Sequence, residues 1–280
     1  MGQPSLAERL GWGSEDRLLI VNCDDLGSSH SANVAILRSM VHGVATSATL
    51  MVPCPRALEA ARMLTGFPIG VHLTLTSEYS GYRWRGLTNG ASLYDVDGFF
   101  PATTNAALAR VTKADARAEC RAQIEMALSW GIDVTHLDAH MHVVQARSDL
   151  YEVYLVLAEE FRLPVRMLSW EETEKQGFQA RERAKVRGLL FNEHIVYSWP
   201  RRTWDVFFEE IPKLPPGVSE IFAHPVLDGE ELRTYDTKNA DIRVHDADCL
   251  MDPAIRKLLD QCNIKRISFR EVREVQREGK

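Results

Sequence analysis

Short apolar runs alternate with helical patterns along most of this chain of 280 residues, and this alternation limits the fold more than any other feature. Strands that are separated by helices pair in parallel, either in an open sheet or in a closed barrel. The number of strand candidates in one chain of this length favours barrel-like closure. The runs that predict strands are RLLIVN, TSATLMV, IGVHLTL, VTHLDAH, LPVRML, SEIFAHP and IKRISF.

The composition narrows the class of protein. With 45% hydrophobic and 26% charged residues, the chain can bury a sizeable core. Its net charge of −6 argues against a nucleic-acid partner. Five scattered cysteines without a C-x-x-C pair indicate reduced thiols. Because no apolar run reaches the ~18 residues of a membrane span, we expect a cytoplasmic protein without a membrane partner.

Polar residues collect where the predicted strands end, which is where parallel barrels place their chemistry. Two adjacent carboxylates, Asp24 and Asp25, end the first strand, and such like charges need a partner if they are buried. A helix N-cap is the simpler explanation of this pair. The other polar residues at predicted strand ends are His72, His136, Asp138, His140, His142, Arg166 and His224.

The segment THLDAHMH carries the strongest chemical signal. If it is extended, His136, Asp138, His140 and His142 lie on one face of the strand. A divalent ion would satisfy several of these groups at once, and two imidazoles with a carboxylate suit catalytic zinc or a neighbouring metal. A single histidine such as His72 is more often a hydrogen-bonded core residue. The prediction therefore depends on several signals meeting at one end of the barrel.

The motifs LLIVNCDDLG, GVATSATLMV, IGVHLTL, THLDAHMHV, LPVRM and IFAHP, in this order, resemble those of the YdjC-like carbohydrate deacetylases. The resemblance implies an α/β fold, a distorted TIM-like (β/α) barrel with parallel strands that forms a single domain over residues 1–280. Residues 1–16 would be an N-terminal extension. The chain departs from the family pattern at two positions. Val226 follows His-Pro where the family has a glycine, and Leu26 stands where phenylalanine is common in the family.

The same resemblance implies a function and its central residues. Asp25, His72 and His140 would bind one divalent metal ion, most readily zinc, with magnesium, cobalt or nickel as alternatives. Asp24 resembles the catalytic base. His224 resembles the general acid, a role that another group could also fill. The implied activity is a metal-dependent hydrolase that removes an N-acetyl group from a small amino sugar or oligosaccharide.

Further residues are expected beside that centre. Asp138 is predicted to accept a hydrogen bond from a ligand histidine. His136 and His142 are predicted to support the ligands or to contact the substrate. Arg166 would bind the substrate or pair with Asp24, and a structural salt bridge is an equally good explanation.

Residues 77–112 form a long stretch without a regular pattern, and so long a loop in a compact domain is usually functional or disordered. We expect it to be ordered and to border the active site. Its residues Tyr79, Tyr82 and Trp84 are predicted to pack against the flat apolar faces of a sugar. The alternative is a hydrophobic flap that packs on its own barrel.

Two other functions fit the same ligands. A metal-dependent phosphoesterase or sugar isomerase on a similar barrel could use them, with Arg83, Arg85 and Arg166 as the basic groups for a phosphate. A non-catalytic sugar-binding protein could also retain the set. The resemblance further suggests a homodimer, because family members are often dimeric.

Overall fold

The computed structural model describes residues 4–279, in which helices surround one parallel sheet. Its strands are β1 (Arg17–Leu26), β2 (Ser47–Leu50), β3 (Ile69–Leu73), β4 (Leu137–Ala139), β5 (His194–Val196), β6 (Gly217–Ala223) and β7 (Lys265–Arg266). Its α-helices are α1 (Leu6–Arg9), α2 (His30–Val41), α3 (Ala57–Met63), α4 (Thr104–Arg110), α5 (Lys113–Ser129), α6 (Ser148–Phe161), α7 (Trp170–Gln176), α8 (Ala180–Val186), α9 (Thr203–Glu210), α10 (Glu230–Tyr235), α11 (Ala240–Met251), α12 (Pro253–Gln261) and α13 (Phe269–Glu278).

The central strand, β1, pairs in parallel with β2 and β6, and its first residues also pair with β7. Its side chains alternate between two faces, as expected for a strand. Leu19 belongs to the main hydrophobic core, whereas Leu18 and Ile20 belong to a second apolar cluster. Further along the face of Leu18 and Ile20 the positions become polar, at Asn22 and Asp24. One face of β1 therefore runs from apolar to polar toward the carboxyl end of the strand.

The strand order is β4-β3-β2-β1-β6-β5. Single bridges join Val165 to Leu137 in β4 and to Phe191, which leads into β5, so the parallel pairing continues around the remaining side. The prediction of a distorted TIM-like (β/α) barrel in a single domain is confirmed. The predicted strand LPVRML is reduced to the bridges of Val165, because Pro164 has no N–H to offer a ladder.

Two of the elements that the sequence does not predict lie beside the site, β5 and α11. The strand β5 has three residues, all of them only half-buried, so it gives no apolar run. The helix α11 buries Arg243 and Asp246 together with its apolar residues. Charged residues on the buried face conceal the apolar period by which a helix is recognised.

The predicted strand VTHLDAH is shorter in the structure, where β4 ends at Ala139. The chain then enters a 3₁₀ segment (His140–Gln145), in which Met141 and His142 have left-handed φ values of 51° and 54°. The expectation that all four polar residues of THLDAHMH share a strand face is therefore wrong. A tight turn, rather than strand alternation, places His140 and His142.

The segment 77–112 contains α4 and a 3₁₀ segment (Ala91–Leu93). Trp84, Leu93 and Phe100 from this segment belong to the main hydrophobic core, so much of it packs on the barrel. Residues 1–3 of the expected N-terminal extension, and residue 280, lie outside the described range. Among residues 4–279, no helix has the length and apolar character needed to span a membrane.

Candidate metal centre and active site

The two adjacent carboxylates at the end of β1 have different partners. Asp25 has a left-handed φ of 63°, and the register between β1 and β2 shifts between Cys23 and Leu26. Regular alternation would point Asp25 to the opposite face from Asp24. The irregularity instead lets both carboxylates border one cavity, where Asp24 faces Arg166 and Asp25 faces two histidines. Each of the like charges thus lies beside positive or polar groups, which offsets their repulsion.

Asp25, His72 and His140 form a buried cluster that we call the cavity triad. The Oδ1 atom of Asp25 lies 3.5 Å from His72 Nε2 and 3.2 Å from His140 Nδ1. Within residues 4–279 this oxygen has no hydrogen-bond partner. A buried carboxylate oxygen without a partner needs an explanation, since such groups are nearly always satisfied.

Each histidine of the cavity triad uses its other ring nitrogen on a carboxylate. His72 Nδ1 lies 2.5 Å from Asp138 Oδ1, and His140 Nε2 lies 3.0 Å from both oxygens of Glu78. Each carboxylate keeps a proton on the ring nitrogen that it contacts. It thereby turns the other ring nitrogen toward the centre of the triad. Two nitrogens and one oxygen then converge on one point, and a divalent ion fits this donor set.

The electrostatics of the cavity triad favour a positive charge. Burial alone would lower the pKa of both histidines. It is chiefly the negative charge of Asp138 that outweighs burial at His72 and raises its pKa to about 9, and chiefly that of Glu78 that outweighs burial at His140 and raises its pKa to about 10. Burial alone would raise the pKa of Asp25, yet the two histidines hold it well below its usual range. A metal ion would take the place of the protons that these nitrogens attract.

Arg166 lies at the centre of a second acidic group, which we call the arginine cluster, with Asp24, Asp138 and Glu220. Its Nη1 and Nη2 atoms donate to the two oxygens of Asp24 at 2.7 Å each, the forked geometry of a strong ion pair. Asp138 lies 2.9 Å from Nη1, and Glu220 accepts from Nε at 2.8 Å. Asp24, His72 and Asp138 also approach each other closely, but here the guanidinium already supplies the positive charge.

The predicted contact of Arg166 with the substrate needs correction. Its side chain is 0% exposed and holds Asp24 from inside the barrel, so the alternative of pairing with Asp24 is the one observed. Burial alone would raise the pKa of Asp24, but Arg166 keeps it below its ordinary value. Burial raises the pKa of Glu220 to about 7 although Arg166 opposes the shift.

His224 follows β6 and faces Asp24 across the cavity, with 4.0 Å between Nε2 and Asp24 Oδ2. Its backbone N–H donates to Asp246 at 2.8 Å, which fixes the turn after the strand. Among the described residues, its Nδ1 atom is buried without a hydrogen-bond partner. Burial lowers the pKa of His224, although Asp25 and Asp24 oppose this. Burial thus favours the neutral form of the ring, which can accept a proton before it donates one.

The other predicted residues of THLDAHMH have separate places. Asp138 contacts the ligand-side histidine His72, as described above. His142 lines the cavity, with Nδ1 at 3.2 Å from Gln145 Oε1. His136 needs correction, because its ring stacks on Phe269 with 3.9 Å between centroids and its Nδ1 lies beside the Thr135 hydroxyl rather than a ligand. Burial lowers the pKa of His136 to about 3.

The cavity over the triad has a volume of about 570 Å³, and one of the three predicted sugar-binding aromatics lines it. Tyr79 forms part of the wall. Tyr82 instead stacks on Tyr235, and Trp84 is buried with its Nε1 donating to the carbonyl of Thr76. Neither ring is among the described residues that line this cavity, and their contacts with a sugar stay predictions.

Several residues of the site escaped the sequence analysis. Tyr197, Trp199 and Phe222 form an aromatic wall of the cavity, and the Trp199 ring meets the His224 ring edge-on at 5.0 Å. Phe222 lies inside the motif IFAHP, in which only His224 is predicted to act, and Tyr197 and Trp199 follow the unpredicted strand β5. Glu78 and Arg243 also line the cavity, but Arg243 lies on the unpredicted helix α11. The irregular segment 77–112 gave no signal for Glu78.

The basic groups expected of a phosphate site are elsewhere. Arg83 donates to Asp95, and Arg85 lies over the ring of Tyr94. In the described part of the chain, Arg243 is the one Arg or Lys that lines the cavity. Its guanidinium is already bound by Asp25 and Asp236.

Comparison with known families decides the affiliation of this chain. The family model described as "YdjC-like protein" matches residues 18–261. The chain belongs to the YdjC-like family. This match includes all three members of the cavity triad and both members of the Asp24–His224 pair.

Relatives of this YdjC-like protein carry the name carbohydrate deacetylase. The one from Thermus thermophilus is 34% identical over 96% of this chain and 98% of its own length. The one from Geobacillus stearothermophilus is 30% identical over 91% of this chain and 98% of its own length. A crystal structure from Enterococcus faecalis V583, of a protein to which cellobiose-phosphate cleavage has been ascribed, superposes with a TM-score of 0.80 at 22% identity, covering 92% of this chain and 99% of that one. This last likeness shows the fold.

Proposed function

We propose that this chain is a metal-dependent carbohydrate deacetylase that removes an N-acetyl group from a small amino sugar or oligosaccharide. One observation carries the proposal: Oδ1 of Asp25, which accepts no hydrogen bond from the described residues, faces two imidazoles at the floor of a cavity, beside the second carboxylate, Asp24. Relatives named carbohydrate deacetylase over nearly the whole chain support it. The homodimer and the cytoplasmic location stay predictions of the sequence.

Asp25, His72 and His140 are the residues that would hold the ion. Two imidazoles and one carboxylate favour zinc over magnesium, which prefers oxygen ligands, and cobalt and nickel fit the same donors. A divalent ion at this position supplies Lewis acidity, which makes water more acidic and an amide carbonyl more electrophilic. The remaining steps belong to side chains of the chain itself.

Asp24 is proposed as the general base and His224 as the general acid. Arg166 fixes both oxygens of Asp24 from below, so the carboxylate keeps a single orientation at the floor of the cavity. His224 lies 4.0 Å from Asp24 Oδ2, so one reacting centre can face both groups. Asp24 would take a proton from water. His224, once protonated from solvent, would deliver that proton to the leaving amine, which is otherwise a very poor leaving group.

The walls of the cavity support a sugar as the substrate. Tyr79, Tyr197 and Trp199 offer aromatic surface, and flat apolar sugar faces pack on such rings. The absence of an uncommitted arginine or lysine among the described lining residues disfavours the phosphoesterase alternative. We propose that Trp199, which touches His224, is the main sugar platform.

The test is acetate release from N-acetylglucosamine oligomers, with phosphate release from phosphorylated sugars measured in parallel. We expect acetate release that a chelator abolishes and that zinc or cobalt restores, with about one ion bound per chain. Phosphate release without acetate release would contradict the proposal. So would acetate release by protein that holds no metal.

A further inference from the structure

Arg243 connects α11 to the cavity triad, although no motif of the sequence marks it. Its side chain is buried, and its Nη1 donates to Asp25 Oδ2 at 2.9 Å. Its Nε donates to Asp236 Oδ2 at 2.8 Å, and its Nη2 to the hydroxyl of Tyr79 at 3.0 Å. Asp236 and Tyr79 thus hold the guanidinium in place against Asp25.

Arg243 binds one carboxylate oxygen of Asp25 and leaves the other facing the two histidines of the cavity triad. Oδ2 is bound by the guanidinium, whereas Oδ1 faces His72 and His140 and lacks a hydrogen bond in the described chain. The contrast with Asp24 is clear, because the fork of Arg166 binds both oxygens there. Arg243 leaves one oxygen free, and its own charge lies close to the place where an ion would bind.

We propose that Arg243 is a positioning residue that acts as a fixed counter-cation of Asp25: it restricts Asp25 to one free oxygen, keeps the carboxylate neutralised when no ion is bound, and competes electrostatically with the ion. This inference rests on the metal site of the proposed function. Two cations that share one carboxylate oppose each other's binding, and such coupling is reciprocal. Metal affinity is therefore lower than the three donors alone would give, and the triad stays intact without metal.

The test compares Arg243→Met and Arg243→Gln, which remove the charge, with Arg243→Lys, which keeps it. The dissociation constant for Zn²⁺ and for Co²⁺ is measured by competition with a chromogenic chelator, and thermal unfolding is followed with and without metal. The control is Arg273→Met, which removes another buried arginine that pairs with Asp133, away from the triad.

We expect both neutral variants to bind metal on the order of tenfold more tightly than the unmodified protein. We also expect them to unfold at lower temperature in chelator, with a larger rise in melting temperature on adding metal. Arg243→Lys should bind metal with nearly unchanged affinity, and Arg273→Met likewise. A merely structural role of Arg243 would lower the melting temperature without tightening metal binding.

Unchanged or weaker metal binding by the neutral variants would overturn the inference. If Arg243→Met does not fold, the pair of Arg243→Gln and Arg243→Lys decides the same question. If the unmodified protein binds no metal, the metal site of the proposed function fails instead. Metal binding by the unmodified protein without tightening in the variants would refute the role of Arg243 alone.

Discussion

The cavity triad and the arginine cluster each contain one of the two adjacent carboxylates at the end of β1, yet these carboxylates are satisfied in different ways. In the arginine cluster, Arg166 occupies the centre and binds both oxygens of Asp24. In the cavity triad, Oδ1 of Asp25 faces two imidazoles and accepts no hydrogen bond within the described chain. Asp138 joins the clusters, because it contacts both His72 and Arg166.

The difference shows that acids and histidines within mutual reach do not by themselves make a metal site. Both groups bring potential ligand atoms together, but Arg166 binds both carboxylate oxygens of Asp24, whereas Arg243 binds only Oδ2 of Asp25. The cavity triad has an unsatisfied oxygen and borders a cavity, so an ion and a substrate can reach the same place. Five variants test this contrast, and they follow from the largest expected effect to the smallest.

Asp25→Asn should remove metal binding and activity together. An amide is a poorer metal ligand than a carboxylate, and the triad has no spare donor in its place. We expect acetate release to fall to the level of chelator-treated protein, a loss on the order of 10⁴-fold. Metal analysis after gel filtration checks the binding, and stoichiometric metal in an active variant would contradict the assignment of Asp25.

Asp24→Asn should distinguish the roles of the two clusters, because it changes the arginine cluster and leaves the cavity triad intact. We expect metal content to stay near one ion per chain while kcat falls by about 10³-fold, the loss typical for a general base. Substrate binding, measured by calorimetry, should persist. Turnover that survives this change would point to another proton acceptor and contradict the role of Asp24.

Arg166→Met should destabilise the fold. It leaves Asp24, Asp138 and Glu220 buried without their common cation, and breaking a buried ion pair from one side lowers the free energy of unfolding by about 3–5 kcal/mol. Denaturant unfolding in the presence of chelator measures this. Arg233→Met, which alters an exposed pair on α10, is the control and should change stability little. Equal effects of the two variants would contradict the account.

His136→Gln should change how the free energy of unfolding depends on pH in acid. The pKa of His136 is about 3 in the folded chain, against about 6.5 for an ordinary histidine. Between these values the unfolded chain binds a proton that the folded chain does not, so stability falls as the pH falls from about 6.5 toward 3, by at most about 1.4 kcal/mol per pH unit. Above pH 6.5 the ring is unprotonated in both the folded and the unfolded chain, so it no longer changes the stability.

Unfolding between pH 7 and pH 4.5, in chelator so that metal release does not contribute, should therefore show a shallower pH slope for His136→Gln than for the unmodified protein. The exposed His42 serves as the control, and His42→Gln should leave the slope unchanged. A slope that His136→Gln does not alter would show that this ring is not a source of the acid sensitivity.

Trp199→Ala should give the smallest effect, mainly on substrate binding. The ring packs edge-on against His224 and lies 5.3 Å from the Arg243 guanidinium, and it lines the cavity. We expect KM to rise by about tenfold or less with metal content unchanged, since a stacking contact contributes about 0.5–1.5 kcal/mol. Phe208→Ala, on the outer helix α9, is the matched aromatic control and should leave KM unaltered.

The sequence predicts the barrel strands and the residues at their ends better than the residues that form the walls of the cavity. The apolar run of β1 and the motifs around Asp25, His72 and His140 indicate the barrel and the residues that meet at its rim, because strand ends are fixed by local pattern. The sequence does not give the left-handed turn at Met141, nor the burial of Arg166, which depends on three carboxylates from distant strands.

The walls of the cavity come from segments without regular periodicity. Trp199 follows a strand that is too short to recognise, and Arg243 lies on a helix whose buried face carries charges. The aromatics Tyr82 and Trp84 are conspicuous in the sequence, yet packing against the barrel uses them. Composition alone does not distinguish an aromatic residue that faces a cavity from one that fills a core.

Anomalous diffraction at the zinc edge, from crystals grown with zinc, tests the contrast between the two clusters most directly. The account predicts one peak between Asp25 Oδ1, His72 Nε2 and His140 Nδ1, within about 2.0–2.2 Å of each atom. It predicts no peak in the arginine cluster. A peak beside Asp24 and Asp138, or crystals in which the three atoms of the cavity triad bind no zinc, would contradict it.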